Sequence, residues 1–106
     1  MRLYERLYFG EKAKKNRVKI LQAVREEKAS GYYVLTFASN EKNLLDIYSA
    51  SSLNQPYYKQ QDLLIVGVAA DYKDAAMLVG TIIGEVYKKT GGFDVREFLK
   101  QEMSHQ

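Results

Sequence analysis

The 106-residue chain has no cysteine, one proline and a single histidine, His105, in the penultimate position. Without cysteine there is no disulfide framework, thiolate zinc site, cysteine nucleophile or iron–sulfur cluster. A lone imidazole beside the terminus removes the usual histidine triads, bases and metal cages, which need a rigidly held ring. Long apolar runs are missing too. The longest, Leu63 to Ala70, falls far short of the roughly 20 residues that a membrane-spanning helix needs. At the N-terminus Arg2, Glu5 and Arg6 interrupt the apolar residues, so the core of a signal peptide is absent. These absences predict a cytoplasmic chain with no membrane association, no cofactor, no metal site and no catalytic residue.

What is present is ordinary for a globular fold. Hydrophobic residues make up 46% and charged residues 27%, which excludes a largely disordered or low-complexity chain. The length predicts one domain over 1–106. Sixteen basic residues against thirteen acidic ones leave a net charge of +3, compatible with nucleic acid but equally with plain solubility charge.

The N-terminal segment 1–10 reads either as an edge strand or as an arm with a helical turn pairing Leu3 with Leu7. Glu11 to Ala29 reads as one helix of straight-chain helix formers, ending at Ser30-Gly31. Its Ala13, Ile20, Leu21 and Val24 share one side and Lys12, Lys15 and Lys19 the other, with Arg17 bordering the apolar stripe. Tyr32 to Ala38 is a strand apolar on both faces, hence central. A turn at Asn40–Asn43 leads into a half-exposed strand, Leu44 to Ala50, completing a hairpin. Pro56 suits the first turn of a short helix carrying Tyr57 and Tyr58. Leu63 to Ala70 is a third strand, and Asp71 to Thr90 the clearest helix, with Gly91-Gly92 as its stop. A last helix, Val95 to Gln101, follows Asp94 as N-cap, and 102–106 is expected to fray. The hairpin predicts an α+β fold: a two-layer sandwich, with helices packed on one face of an antiparallel three- or four-stranded sheet.

Two features point to binding. Ala76, Gly80 and Gly84 recur every four residues along the long helix, although glycine inside a helix costs about 1 kcal/mol relative to alanine. Such a small-residue groove admits another backbone closely. Its occupant is a helix of the same chain, the same helix of a second subunit across a two-fold axis, or a ligand. Tyr57 and Tyr58, in the most polar stretch, cap the open end of the sheet, form a partner-binding patch or stack on nucleobases; tyrosine is enriched at interfaces.

A third feature, the basic run Lys12, Lys14, Lys15, Arg17 and Lys19, of which Lys12, Lys15 and Lys19 share one side, is either a solvated helix face or a phosphate-tracking stripe, although no aromatic platform accompanies it. Among acids, Asp46, Asp62, Asp71, Asp74, Glu85 and Asp94 are available, but no spacing selects an acid–base pair or a carboxylate metal cage. Asp71, Asp74 and Asp94 already have a use as helix caps.

Asn43-Leu44-Leu45-Asp46-Ile47-Tyr48, Gln55-Pro56-Tyr57-Tyr58, Ile65-Val66-Gly67-Val68-Ala69 and Thr90-Gly91-Gly92-Phe93-Asp94-Val95-Arg96 resemble segments of a family of short, uncharacterised bacterial α+β proteins. The resemblance implies a complete small protein; no activity and no site residue come with it. The sequence therefore predicts a small self-associating binding domain, a homodimer using Ala76, Gly80, Gly84, Tyr57 and Tyr58, which also leaves room for an unknown protein partner. The alternative is a weak, sequence-nonspecific nucleic-acid binder using Lys12, Lys15 and Lys19.

Overall fold

The computed structural model describes residues 2–37, 45–56 and 63–104, the side chains of 102–104 excepted. The N-terminal segment is a strand, β1 (Arg2–Phe9), followed by two short helices, α1 (Glu11–Lys15) and α2 (Arg17–Arg25). The single helix expected from Glu11 to Ala29 is thus broken at Asn16, whose backbone (φ −128°, ψ 38°) leaves the helical region. Asparagine is a weak helix former and tolerates this bend. The change of direction lets both Ala13 and the Ile20/Val24 pair reach the same apolar cluster. α2 stops early because Glu27 adopts a positive φ of 53°.

Strands β2 (Tyr33–Phe37) and β3 (Leu45–Ser49) pair antiparallel in an unbroken register from Tyr33↔Ser49 to Phe37↔Leu45. Their expected turn at 40–43 lies outside the described residues, as do Tyr57 and Tyr58. Helix α3 (Ala50–Leu53) follows directly, its start capped by Ser49 Oγ, which accepts from the Ser52 amide at 3.2 Å. Strand β4 (Leu64–Ala69) leads into helix α4 (Tyr72–Thr90), and helix α5 (Val95–Ser104) closes the chain. Asp71 caps α4 by accepting from the Asp74 amide at 2.8 Å. Gly91, at φ 76°, ends it in the left-handed conformation that glycine adopts without strain. Asp94 Oδ1 accepts from the Glu97 amide at 3.1 Å. α5 continues to Ser104, three residues past the expected end at Gln101.

The strand order is β1-β4-β2-β3. The α+β class and the four strands stand, with two corrections. The sheet is mixed, not antiparallel throughout, because β1 lies parallel to β4. The helices cover both of its faces, not one. On one face Tyr4, Leu35, Val66, Leu78, Ile82, Val86 and Leu99 form a cluster that seats α4 and α5. On the other, Phe9, Ala13, Ile20, Val24, Tyr32, Val34, Ile65 and Val68 seat α1, α2 and α3. The cause is in the strands themselves: β2 and β4 alternate apolar residues toward both sides, so neither face tolerates water.

β1 and β4 run side by side, yet the helix after β1 packs on one face and the helix after β4 on the other. In open sheets this reversal leaves a crevice at the carboxyl ends of the strands, the usual place for a ligand. Here its centre is closed from within, with a cleft of about 310 Å³ left open beside Gly10 and Asp74. The Asp74 carboxylate, nearly inaccessible, accepts from the Lys12 amide at 3.1 Å, the Ala13 amide at 3.2 Å and the Ala70 amide at 3.0 Å. Gly10 is obligatory beneath it, since a Cβ there would collide with the carboxylate.

Candidate functional site

α4 buries Asp74, Ala75, Leu78, Ile82 and Val86 against the sheet. At 100° per residue, its opposite side carries Tyr72, Ala76, Gly80, Gly84 and Tyr87. Ala76, Gly80 and Gly84 are all exposed. Nothing stands within 4 Å of where a Cβ on Gly80 or Gly84 would lie. No other described helix of the chain therefore fills the groove, and no described neighbour requires either glycine.

Large apolar side chains border this strip. Tyr72 is 61% exposed, Met77 60%, Tyr87 53% and Phe93 53%; these are four of the five large hydrophobic residues that stand out most among the described residues. Tyr87 and Phe93 stack with ring centroids 5.0 Å apart, and Tyr72 meets Tyr33 edge-on at 6.2 Å. The rings at the two ends of the helix are thus fixed by neighbours, while the middle is flat and small. Along the same helix the Thr81 hydroxyl donates to the Met77 carbonyl at 3.1 Å, satisfying itself internally. A flat, small-residue centre between rigid aromatic ends is a shape that a second helix fits without clash.

The basic residues are arranged differently from the stripe that the sequence suggests. The bend at Asn16 separates Lys12 and Lys15 on α1 from Lys19 on α2. Lys12 Nζ forms an ion pair with Asp71 Oδ2 at 2.8 Å. The hydrogen bond to the Asp71 carboxylate raises the Lys12 pKa above its ordinary value. That same bond, helped by the Asp74 amide, lowers the Asp71 pKa. Each partner holds the other in its charged form. Lys15 and Lys19 remain exposed.

Among the described residues the candidate acids serve as helix caps or as hydrogen-bond and ion-pair partners. Asp71 and Asp94 cap helices as the sequence predicts, whereas Asp74 caps α1 from across the fold and not its own helix. Asp46 accepts from the Tyr48 hydroxyl at 3.3 Å, and Glu85 pairs with Lys89 at 3.4 Å. Asp62 lies outside the described residues. Among the described residues no group of three or more His, Cys, Asp or Glu gathers to hold a metal ion, and no helix is long and apolar enough to cross a membrane. The buried Tyr32 hydroxyl has no hydrogen-bond partner among the described residues, and its burial, with Glu27 nearby, raises the phenol pKa.

Sequence reasoning misses the Gly10–Asp74 junction because it ties Asp74 to residues 61 or more positions away, in the Gly10–Ala13 segment. Comparison with protein families, with curated proteins and with solved structures returns no match.

Proposed function

We propose that this chain is a non-catalytic, cytoplasmic binding domain that pairs with a second copy of itself through the outer face of α4. The supporting observation is the open strip Ala76–Gly80–Gly84 bordered by exposed Tyr72, Met77, Tyr87 and Phe93. Two glycines weaken a helix by about 1 kcal/mol each, and no described neighbour in the monomer needs their small size. A two-fold contact offsets it, because the same face then serves both partners and the small residues let the helix backbones approach. Removing the four large apolar side chains from water supplies the driving force. A cytoplasmic location is compatible with the absence of cysteine.

Sedimentation over a concentration series from low to high micromolar tests this reading. The expected result is a mass rising from 12.2 kDa toward twice that value, and a Gly80→Leu variant that stays at the lower mass while keeping its helical circular dichroism. A wild-type mass that never rises overturns the reading. Nucleic-acid binding through Lys12, Lys15 and Lys19 has weaker support, since Lys12 is engaged by Asp71 and the bend at Asn16 divides the run.

A further inference from the structure

The opposite side of the molecule carries a second surface. β1 stands at one edge of the sheet, and its register against β4 jumps from Leu3↔Ile65 to Tyr8↔Gly67, so five residues of β1 oppose two of β4. Between this bulged edge and α2 lies a cleft of about 490 Å³ with Leu3, Leu7 and Leu21 on its apolar surface and Arg6, Arg17 and Arg25 around it. One acid, Glu5, also reaches it. Among the described residues neither Arg17 nor Arg25 has a carboxylate within ion-pair distance; the Arg17 guanidinium lies 4.6 Å from the centre of the Phe9 ring, which holds it in place.

We propose that this cleft docks an extended acidic segment of a partner protein, with the pattern acidic–x–apolar–x–acidic. The spacing carries the argument together with the charge. Arg17, Leu21 and Arg25 follow one another at four-residue steps along α2, so they line up on one face at intervals of about 6 Å. Side chains on one face of an extended chain recur every second residue, at about 6.7 Å. The two repeats match over three positions, which sets an acid against Arg17, an apolar side chain against Leu21 with Leu3 and Leu7, and a second acid against Arg25. The two arginines leave the helix about 12 Å apart along its axis, so two acids spaced along one segment suit them better than one small anion does. Arginine favours carboxylates through its planar fork of donors. Pairing of the segment with β1 as an added strand is disfavoured, because a bulge and the charges of Glu5 and Arg6 are devices that keep an edge from extending. The segment is held by its side chains.

The test uses the whole chain and a fluorescein-labelled probe, Gly-Glu-Ser-Leu-Ser-Glu-Gly, read by fluorescence anisotropy at low salt. The expected result is binding at least tenfold tighter than that of the probe with both glutamates replaced by lysine. Inserting one extra serine before the second glutamate, which turns that acid to the other face, is expected to cost a similar factor. An Arg17→Glu/Arg25→Glu variant is expected to lose the acidic probe and gain the lysine probe, a reversal that misfolding does not produce. Equal affinity for the shifted probe, or equal or tighter binding of a single-stranded oligonucleotide of the same charge, overturns the proposal by reducing it to general electrostatic attraction. Undetectable binding of the acidic probe, or its unchanged binding to the double variant, overturns it outright.

Discussion

Gly10 and the pair Gly80/Gly84 are the same residue put to opposite uses. At Gly10 a side chain has nowhere to go: the Asp74 carboxylate occupies the space while it holds the amides of Lys12, Ala13 and Ala70. At Gly80 and Gly84 there is open space. The first glycine is explained within one copy of the chain. The other two are not, and a conformational cost left unexplained inside the monomer points to something outside it. Comparing the two environments separates what the fold needs from what function needs.

The comparison breaks if the two sites respond alike. The largest effect is expected at the junction. Asp74→Ala leaves three amide donors without their acceptor and should cost about 3 kcal/mol, read as a lower denaturant midpoint at unchanged slope. Gly10→Ala forces the carboxylate aside and should cost about 2 kcal/mol. On α4 the sign reverses. Gly80→Ala and Gly84→Ala should each stabilise the dilute, monomeric protein by about 1 kcal/mol, seen as a thermal midpoint higher by about 4–8 °C. In concentrated solution the same variants should weaken self-association at least several-fold, measured by sedimentation. If they stabilise the monomer and leave association untouched, the glycines have no part in an interface.

The smallest effect concerns pH. Asp71 is held below the ordinary carboxylate pKa by the Lys12 ammonium and the Asp74 amide. The unfolded chain therefore takes up a proton first as the pH falls. The stability tied to Asp71 is fully present above about pH 4 and is lost as the pH drops through the lowered, folded value. Asp71→Asn should flatten this part of the acid unfolding curve. Added salt should shrink the effect in the wild type, since the Lys12–Asp71 pair is exposed.

How much of this the sequence discloses follows from distance along the chain. The long helix from Asp71 with its Gly91 stop, the central strand at Tyr33–Phe37 and the Asp94 cap are all written in adjacent residues, and the structure places them within a residue or two. The parallel contact of β1 with β4 depends on pairing Leu3 with Ile65, which no local pattern records. Double-sided burial was half legible, because the strands are apolar on both faces, but a hairpin alone does not say where the helices go. The break at Asn16 is a local signal outweighed by the helix formers around it. The same holds at the candidate sites. The Ala76/Gly80/Gly84 spacing is readable directly, whereas its exposure requires knowing which side of α4 meets the sheet. The four-residue steps of Arg17, Leu21 and Arg25 are equally visible in the sequence, and their meaning emerges only once β1 supplies the other wall of the cleft.

The absence of cysteine permits the most direct test of the central claim. A single cysteine placed at Gly80 and, as a control, another at Val18, which is 81% exposed on α2, can be oxidised gently at low micromolar concentration. A disulfide needs Cα atoms about 4.4–6.8 Å apart, a separation that helices crossing at the glycine strip reach and random collisions seldom hold. The account predicts covalent dimer that accumulates faster from Gly80→Cys than from Val18→Cys, because oxidation traps each in-register encounter even though a side chain at position 80 weakens the contact. Equal rates at the two positions, or no cross-link at Gly80→Cys, would contradict it.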